Sequence, residues 1–275
     1  MDDPGCAAIA RAVDRDLVLA LGGYVVELPG AHLVVDERIA APRFNFVQVA
    51  AIAPSRQAAF FERTLDHYFQ RALRPCFRVP PPVPSHVDRA LRGFGFQPRA
   101  HRNSLLIAEG PIEGNAGPHA RVAHPDELDR AVGFWSGEAE RAELRRALEV
   151  ALEHPNVGEH LEILFGLGPD GEPAAALLLL GNHDRVSIHA VATQPLVRGQ
   201  GLASDLVRFA RTRPVADGVP VFMDVDDRAA GRLATLGFRG VGEEILYELP
   251  PGAELALPAP GPPSPPRWRP PRSNG

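Results

Sequence analysis

The run Val191-Ala-Thr-Gln-Pro-Leu-Val-Arg198-Gly-Gln-Gly-Leu-Ala203-Ser-Asp-Leu-Val holds the residue types most able to do chemistry in this chain. An apolar stretch enters a proline turn, an arginine and two glycines follow, and a small residue opens a stretch of helical period. Glycine lets a backbone approach a ligand closely and take dihedral angles that a Cβ forbids. Amides in the first turn of a helix have no internal partners, and the helix dipole adds positive potential there. Gly199, Gln200 and Gly201 therefore read as a phosphate cradle opening a helix through Ser204–Arg211, with Arg198 as an added cation. An ordinary strand–loop–helix connection is the alternative, because a lone GxG is common. The run is neither a P-loop, which needs GK[ST], nor a Rossmann fingerprint, which needs a third glycine.

Acid–base candidates lie nearby. On the expected strand Val186–Ala192, alternate side chains share a face, so Ser187, His189 and Val191 point one way. Histidine is the side chain whose ordinary pKa lies near neutrality, which makes His189 the candidate base or water-positioner, against a purely structural hydrogen-bonding role. Tyr247 offers a proton donor or a packing ring. Asp224, Asp226 and Asp227 read as a solvated acidic turn, with Asp227 capping a helix, and no metal site is expected. Cys6 and Cys76 have no metal-type spacing and read as free thiols.

These residues need elements to position them. The second part of the chain reads as helices Pro125–Trp135 and Ala139–Leu152, then strands Leu161–Leu167, Ala174–Leu180 and Val186–Ala192. The glycine loop and its helix follow, then strand Val219–Val225, helix Ala229–Leu236 and strand Glu243–Leu249. This ααβββαβαβ order implies an α/β or α+β fold with a mixed sheet. The first part reads as a weaker copy. Strands are expected at Tyr24–Leu28, His32–Asp36, Asn45–Ile52, Pro75–Val79 and Ser104–Ala108, and helices at Ala58–Leu73 and Val87–Arg92. Ala90-Leu-Arg-Gly-Phe-Gly-Phe96 before Leu105-Leu-Ile parallels Arg232-Leu-Ala-Thr-Leu-Gly-Phe238 before Ile245-Leu-Tyr. A Gly/Pro-rich seam at Gly110–Pro118 separates the copies. Proline density from Pro251 onward blocks helix and sheet. The expected division is residues 1–114, 118–250 and a disordered tail over 251–275.

Of the 275 residues, 45% are hydrophobic and 23% charged, enough for packed cores. A formal net charge of −5 argues against a nucleic-acid partner, which needs clustered cations. No apolar run approaches the roughly 20 residues of a membrane helix, and Asp2 and Asp3 are unlike a secretory signal. A cytoplasmic protein without a membrane partner is expected.

Arg198-Gly-Gln-Gly-Leu-Ala203 resembles the Q/R-x-x-G-x-G/A loop of the GNAT N-acetyltransferase superfamily. VATQP resembles that family's strand end before the loop, and Leu236-Gly-Phe238 its segment before the last strands. The resemblance covers about residues 120–249. It extends to the first copy only in degenerate form, since PSRQAAFF after Ile52 has no glycine loop. It implies two GNAT-like units in tandem and acetyl transfer from acetyl-CoA to a primary amine, small molecule or peptide, by direct attack. Val191, Ala192 and Thr193 would pair with the pantetheine arm. Arg198, Gly199, Gln200, Gly201, Leu202, Ala203 and Ser204 would hold the pyrophosphate. The position of the family's thiolate-protonating tyrosine is Leu233, its asparagine is replaced by Asp226, and a carboxylate position falls at Arg185. A CoA-binding pseudoenzyme and a purely structural interaction module are the rival readings.

Overall fold

The computed structural model of the protein describes residues 4–110, 119–154, 157, 160–182, 184–213, 216–250 and 253. The expected seam after Gly110 and, Ala253 apart, the expected Pro-rich tail lie outside the described residues.

The chain opens with a helix that the sequence reading did not anticipate, α1 (Pro4–Ala20). Its Ala10, Val13, Leu17 and Val18 are buried, at spacings that share one helix face. Strands β1 (Tyr24–Leu28) and β2 (Ala31–Val35) form a hairpin, and β3 (Phe46–Val49) pairs with β2. The expected strand Asn45–Ile52 is cut short because the amides of Ala50 and Ala51 turn to the Gly30 carbonyl, at 2.8 and 3.0 Å. Gly30 has φ +87°, and a Cβ there would lie 1.6 Å from the Ala51 oxygen, so the crossing requires glycine. Helix α2 (Gln57–Phe69) leads to β4 (Cys76–Val79), which runs parallel to β3. Helix α3 (Ser85–Gly93), β5 (Gln97–Pro98) and β6 (Asn103–Ala108) follow.

The second half adds a short strand not anticipated, β7 (Ala120–Val122), before α4 (Leu128–Trp135) and α5 (Glu138–Glu153). Next come β8 (Leu161–Leu167), β9 (Pro173–Asn182) and β10 (Arg185–Thr193). Helix α6 (Leu202–Arg211) then leads to β11 (Val221–Asp226), parallel to β10. Helix α7 (Asp227–Ala234) and β12 (Arg239–Glu248) close the half. The unbroken apolar run of β9 follows from burial on both faces. Its Ala176, Leu178 and Leu180 pack with Leu144 and Leu148 of α5. Its Ala175, Leu177 and Leu179 pack with Leu206, Val207 and Ala210 of α6. No helix among the described residues is long and apolar enough to cross a membrane.

The halves repeat one plan, β1-β2-β3-α2-β4-α3 and β8-β9-β10-α6-β11-α7. Each also lends its final strand to the other. Strand β6 of the first half lies between β11 and residues Arg239–Glu244 of β12. Past Glu244, β12 parts from β6 and pairs Ile245–Tyr247 with β4 and Tyr247–Glu248 with β5. A single mixed sheet runs through both halves in the order β1-β2-β3-β4-β12-β6-β11-β10-β9-β8-β7. Helix α1 covers the exchange, with Ala10 and Val13 against Leu105, Ile107, Phe222 and Val241.

Candidate functional site

Strands β10 and β11 pair only over Val186–Ile188 and Val221–Met223. Beyond that, β11 stays with β6 as far as Asp226, while β10 stays with β9. The strands therefore splay, and the β11-facing edge of Val191–Thr193 is left without a strand partner. A bulge sharpens the departure: the β10–β9 register shifts between His189 and Ala192, and Ala190 sits at φ +54°. An alanine in the left-handed region costs on the order of 1 kcal/mol, and such strain gathers where a backbone is aimed at a ligand. The bulge also corrects the expected alternation. Ser187 and His189 share a face, but Val191 joins the face of Ile188 and packs over α6. A wedge-shaped cavity of about 470 Å³ opens in the splay, bounded by Ile188, Val191, Val207, Met223, Asp224 and Leu233.

At its outer end the wedge meets a second cavity, of about 660 Å³, over the glycine loop. Gly201 caps α6 at φ +89° and Gly199 has φ +82°, conformations that favour glycine. A Cβ on either would point into open space. The free amides of Leu202, Ala203 and Ser204 open the helix beneath. Arg198 donates from Nε to the Thr193 carbonyl at 3.2 Å. Of the residues expected here, Val191, Ala192, Thr193, Arg198, Gly199, Gly201, Leu202, Ala203 and Ser204 line this cavity. Gln200 does not line it, and its side chain is exposed. Arg232 of α7 borders both cavities and was missed in the sequence, because its place opposite the loop depends on the turn at Asp226.

At its inner end the wedge shares Ala190 and Asp224 with a third cavity, of about 470 Å³, between the halves. Leu17, Leu21, Phe44, Leu144, Leu148 and Leu246 supply much of its apolar wall. Its polar corner is a buried charge cluster. Arg78 of β4 donates from Nη1 to Asp14 of α1 and, at 3.0 Å, to Asp224 of β11. Glu244 of β12 lies 4.0 Å from the same nitrogen, and 3.6 Å from Arg11. Asn103 donates to Asp224 Oδ2 at 3.0 Å, while Asp224 Oδ1 is buried without a donor. His189 places Nδ1 3.2 Å from Asp14 and Nε2 2.7 Å from Ser187 Oγ, so both ring nitrogens are engaged. Arg78 also stacks 4.0 Å from the Phe46 ring centroid.

Three carboxylates around one guanidinium cannot all be equally ionised. Burial pushes Asp14 upward, but Arg78 and His189 outweigh it and hold Asp14 well below the usual carboxylate range. Burial, reinforced by the Asp14 charge, pushes Asp224 well above that range. Burial pushes Glu244 up to about 7 against the pull of Arg78 and Arg11. The expected solvated acidic turn is thus corrected at Asp224, whose side chain is 6% exposed and internal. Asp226, not Asp227, caps α7, accepting from the Arg228 amide at 3.0 Å. His101, Asp226 and Asp227 bring potential ligand atoms within 4.8 Å of one another. The capping bond, the Asp226–Arg228 pair and a 3.3 Å His101–Asp227 contact account for that grouping.

The remaining candidates sit elsewhere. Tyr247 is buried in the first half's core with its hydroxyl on Asp88 at 2.7 Å. Arg185 is tied to Asp16 at 2.6 Å. Neither Cys6 nor Cys76 is in a disulfide; Cys76 borders the inner cavity, and burial pushes its thiol up to about 12.

No protein-family profile matches this chain, and none of the curated proteins matches it. Solved structures match its fold. A GCN5-related N-acetyltransferase from Kribbella flavida aligns at a TM-score of 0.63 and 15% identity, over 89% of this chain and 95% of that one. One from Sphaerobacter thermophilus aligns at 0.58 and 16% identity, over 82% of this chain and 79% of that one. A tandem GNAT protein from the clavulanic acid biosynthesis pathway, solved without acetyl-CoA, aligns at 0.53 and 14% identity, over 83% and 79%. The splayed parallel strands, the glycine loop of the second half and the repeat before it, whose corresponding loop lacks glycine, are together the GCN5-related N-acetyltransferase fold in tandem.

Proposed function

We propose that this chain is an acetyl-CoA-dependent N-acetyltransferase that moves acetyl to a primary amine by direct attack in a ternary complex. The observation that carries this reading is the continuity of three cavities. A phosphate cradle leads through a strand splay to an apolar chamber whose polar corner meets the splay.

The amides of Gly199–Ser204 hold the pyrophosphate, Gln200 through its backbone alone, with Arg198 and Arg232 as flanking cations. The free edge of Val191–Thr193 pairs with the amides of the pantetheine arm, and the wedge delivers the thioester to Ala190 and Asp224. The acceptor enters between the halves. The leucine and phenylalanine walls of that chamber favour a primary amine carried on an apolar or aromatic body, free or at a peptide terminus. His189 acts as a positioning residue that fixes Asp14 beside the bound amine. This reading needs no metal, nucleic acid or membrane, and it assigns the protein to the cytoplasm.

A thermal-shift titration with acetyl-CoA, longer acyl-CoAs, CoA and NAD tests the cofactor site, because a ligand bound only by the native state raises the midpoint. The expected result is stabilisation by acetyl-CoA and CoA but not NAD. Thiol release from acetyl-CoA with 2-phenylethylamine, hexylamine and spermidine then tests the reaction, with the first two favoured. Absence of any shift would overturn the CoA site. A shift without thiol release would favour the second reading, a CoA-binding pseudoenzyme, for which Leu233 in the wedge wall is the supporting observation.

A further inference from the structure

Leu233 leaves the wedge wall without a hydroxyl where the family resemblance places a proton donor. Asp224 lies on that same wall. It is the titratable residue common to the wedge and the acceptor chamber, and its Oδ1 is buried with no donor. Asp14 borders the chamber but not the wedge. Both carboxylates hold the same Arg78 Nη1, which makes them immediate neighbours.

We propose that Asp14 and Asp224 form one acid–base pair for acetyl transfer, Asp224 protonating the departing thiolate from the wedge side and Asp14 receiving the proton of the acylated nitrogen from the chamber side. This assignment rests on the acetyltransfer reading above. The pair carries one proton at rest, on Asp224. Neutral amine attacks the thioester carbon, forming the C–N bond and an N-protonated tetrahedral intermediate. As the C–S bond breaks, its electron pair goes to sulfur, which takes the Asp224 proton. The doubly ionised pair then removes a proton from the acylated nitrogen through Asp14. Transfer of that proton from Asp14 to Asp224 restores the starting state, so one proton has passed from amine to thiol. The opposed perturbations agree with this division: Asp14 is held down by Arg78 and His189, while burial and the Asp14 charge raise Asp224. Two carboxyls pushed apart by their surroundings are the arrangement that runs acid and base steps together.

The groups facing Asp224 are Asp14 from α1, Arg78 from β4, Asn103 from β6 and Glu244 from β12, with His189 of β10 behind Asp14. Arg11 of α1 stands behind Glu244. Loss of the resting proton removes the acid, so kcat for 2-phenylethylamine should fall on an alkaline limb. That limb reports the Asp224 carboxyl, which burial and the Asp14 charge raise well above the usual carboxylate range. Asp224→Asn should lower kcat at least about 100-fold, the usual scale of general acid–base catalysis. Acetyl-CoA affinity should stay within about threefold, and the alkaline limb should vanish from the residual rate. Asp224→Glu should restore part of both the rate and the limb.

Wild-type kcat without an alkaline limb overturns the assignment with no variant needed. So does an Asp224→Asn enzyme within about threefold of wild type, one that keeps the limb, or one whose loss lies in acetyl-CoA binding. A wild type that releases no thiol with any amine overturns the acetyltransfer reading and this assignment with it. A competent wild type whose Asp224→Asn variant is equally competent overturns the assignment alone.

Discussion

Glu244 is the place where the charge cluster should betray itself in stability. Its carboxyl is 1% exposed, and neither oxygen has a hydrogen-bond donor. Burial raises it from 4.5 to about 7. Between those values the folded chain holds a proton that the unfolded chain has lost. Stability must therefore fall as pH rises, by about 1.4 kcal/mol per unit. The loss is complete above the folded-state value and sums to about 3 kcal/mol. Glu244→Gln keeps the shape of the protonated side chain and removes the titration. Urea unfolding at pH 5 should then find the variant close to wild type, and at pH 8 more stable by up to about 3 kcal/mol. Asp14 and Asp224 still pair with Arg78 in the variant, so the guanidinium keeps its partners. Equal differences at both pH values, or a variant weaker at pH 8, would refute the reasoning. Either would mean that the ionised carboxylate is held by Arg78 and Arg11 more strongly than burial opposes it.

Ser204→Glu places a carboxylate in the first turn of α6, where the dipole welcomes it by about 0.3–1 kcal/mol. Thermal stability should be kept while stabilisation by acetyl-CoA disappears, and a retained shift would remove the loop from the binding site. Tyr247→Phe breaks the 2.7 Å bond to Asp88 and should cost about 1 kcal/mol in urea unfolding. Thiol release should be unchanged, because the ring belongs to the first half's core.

The loop and its helix were legible because local chemistry dictates them. Gly199 and Gly201 need positive φ, and Leu202, Leu206 and Val207 fall on one helix face. The meander was legible from its turns and apolar runs. Helix α1 was not, although Ala10, Val13 and Leu17 are correctly spaced for a helix. Arg11, Asp14, Arg15 and Asp16 interleave with them and blur the apolar stripe. Asp14 gains its meaning only from Arg78, which lies on β4, far along the chain from α1. Asp224 stands beside Asp226 and Asp227 in sequence and shares their polar character. Strand alternation turns it inward, and only the partner strand β6 with Asn103 reveals the burial. The short strand β7 carried too few residues for any period to show. The bulge at Ala190 has no marker in sequence, since alanine rarely adopts positive φ.

The exchange of final strands makes the order of synthesis matter. Strand β4 of the first half has β3 on one side but gains its neighbour on the other only when Ile245–Tyr247 arrive, at the end of the second half. Until then the nascent first half presents an unpaired edge, the surface on which chains aggregate. Cleavage anywhere in the 111–118 link would not release two folded pieces, because each would lack the strand that finishes its sheet. The halves instead should melt together, and separately expressed fragments should recover a native sheet only when mixed.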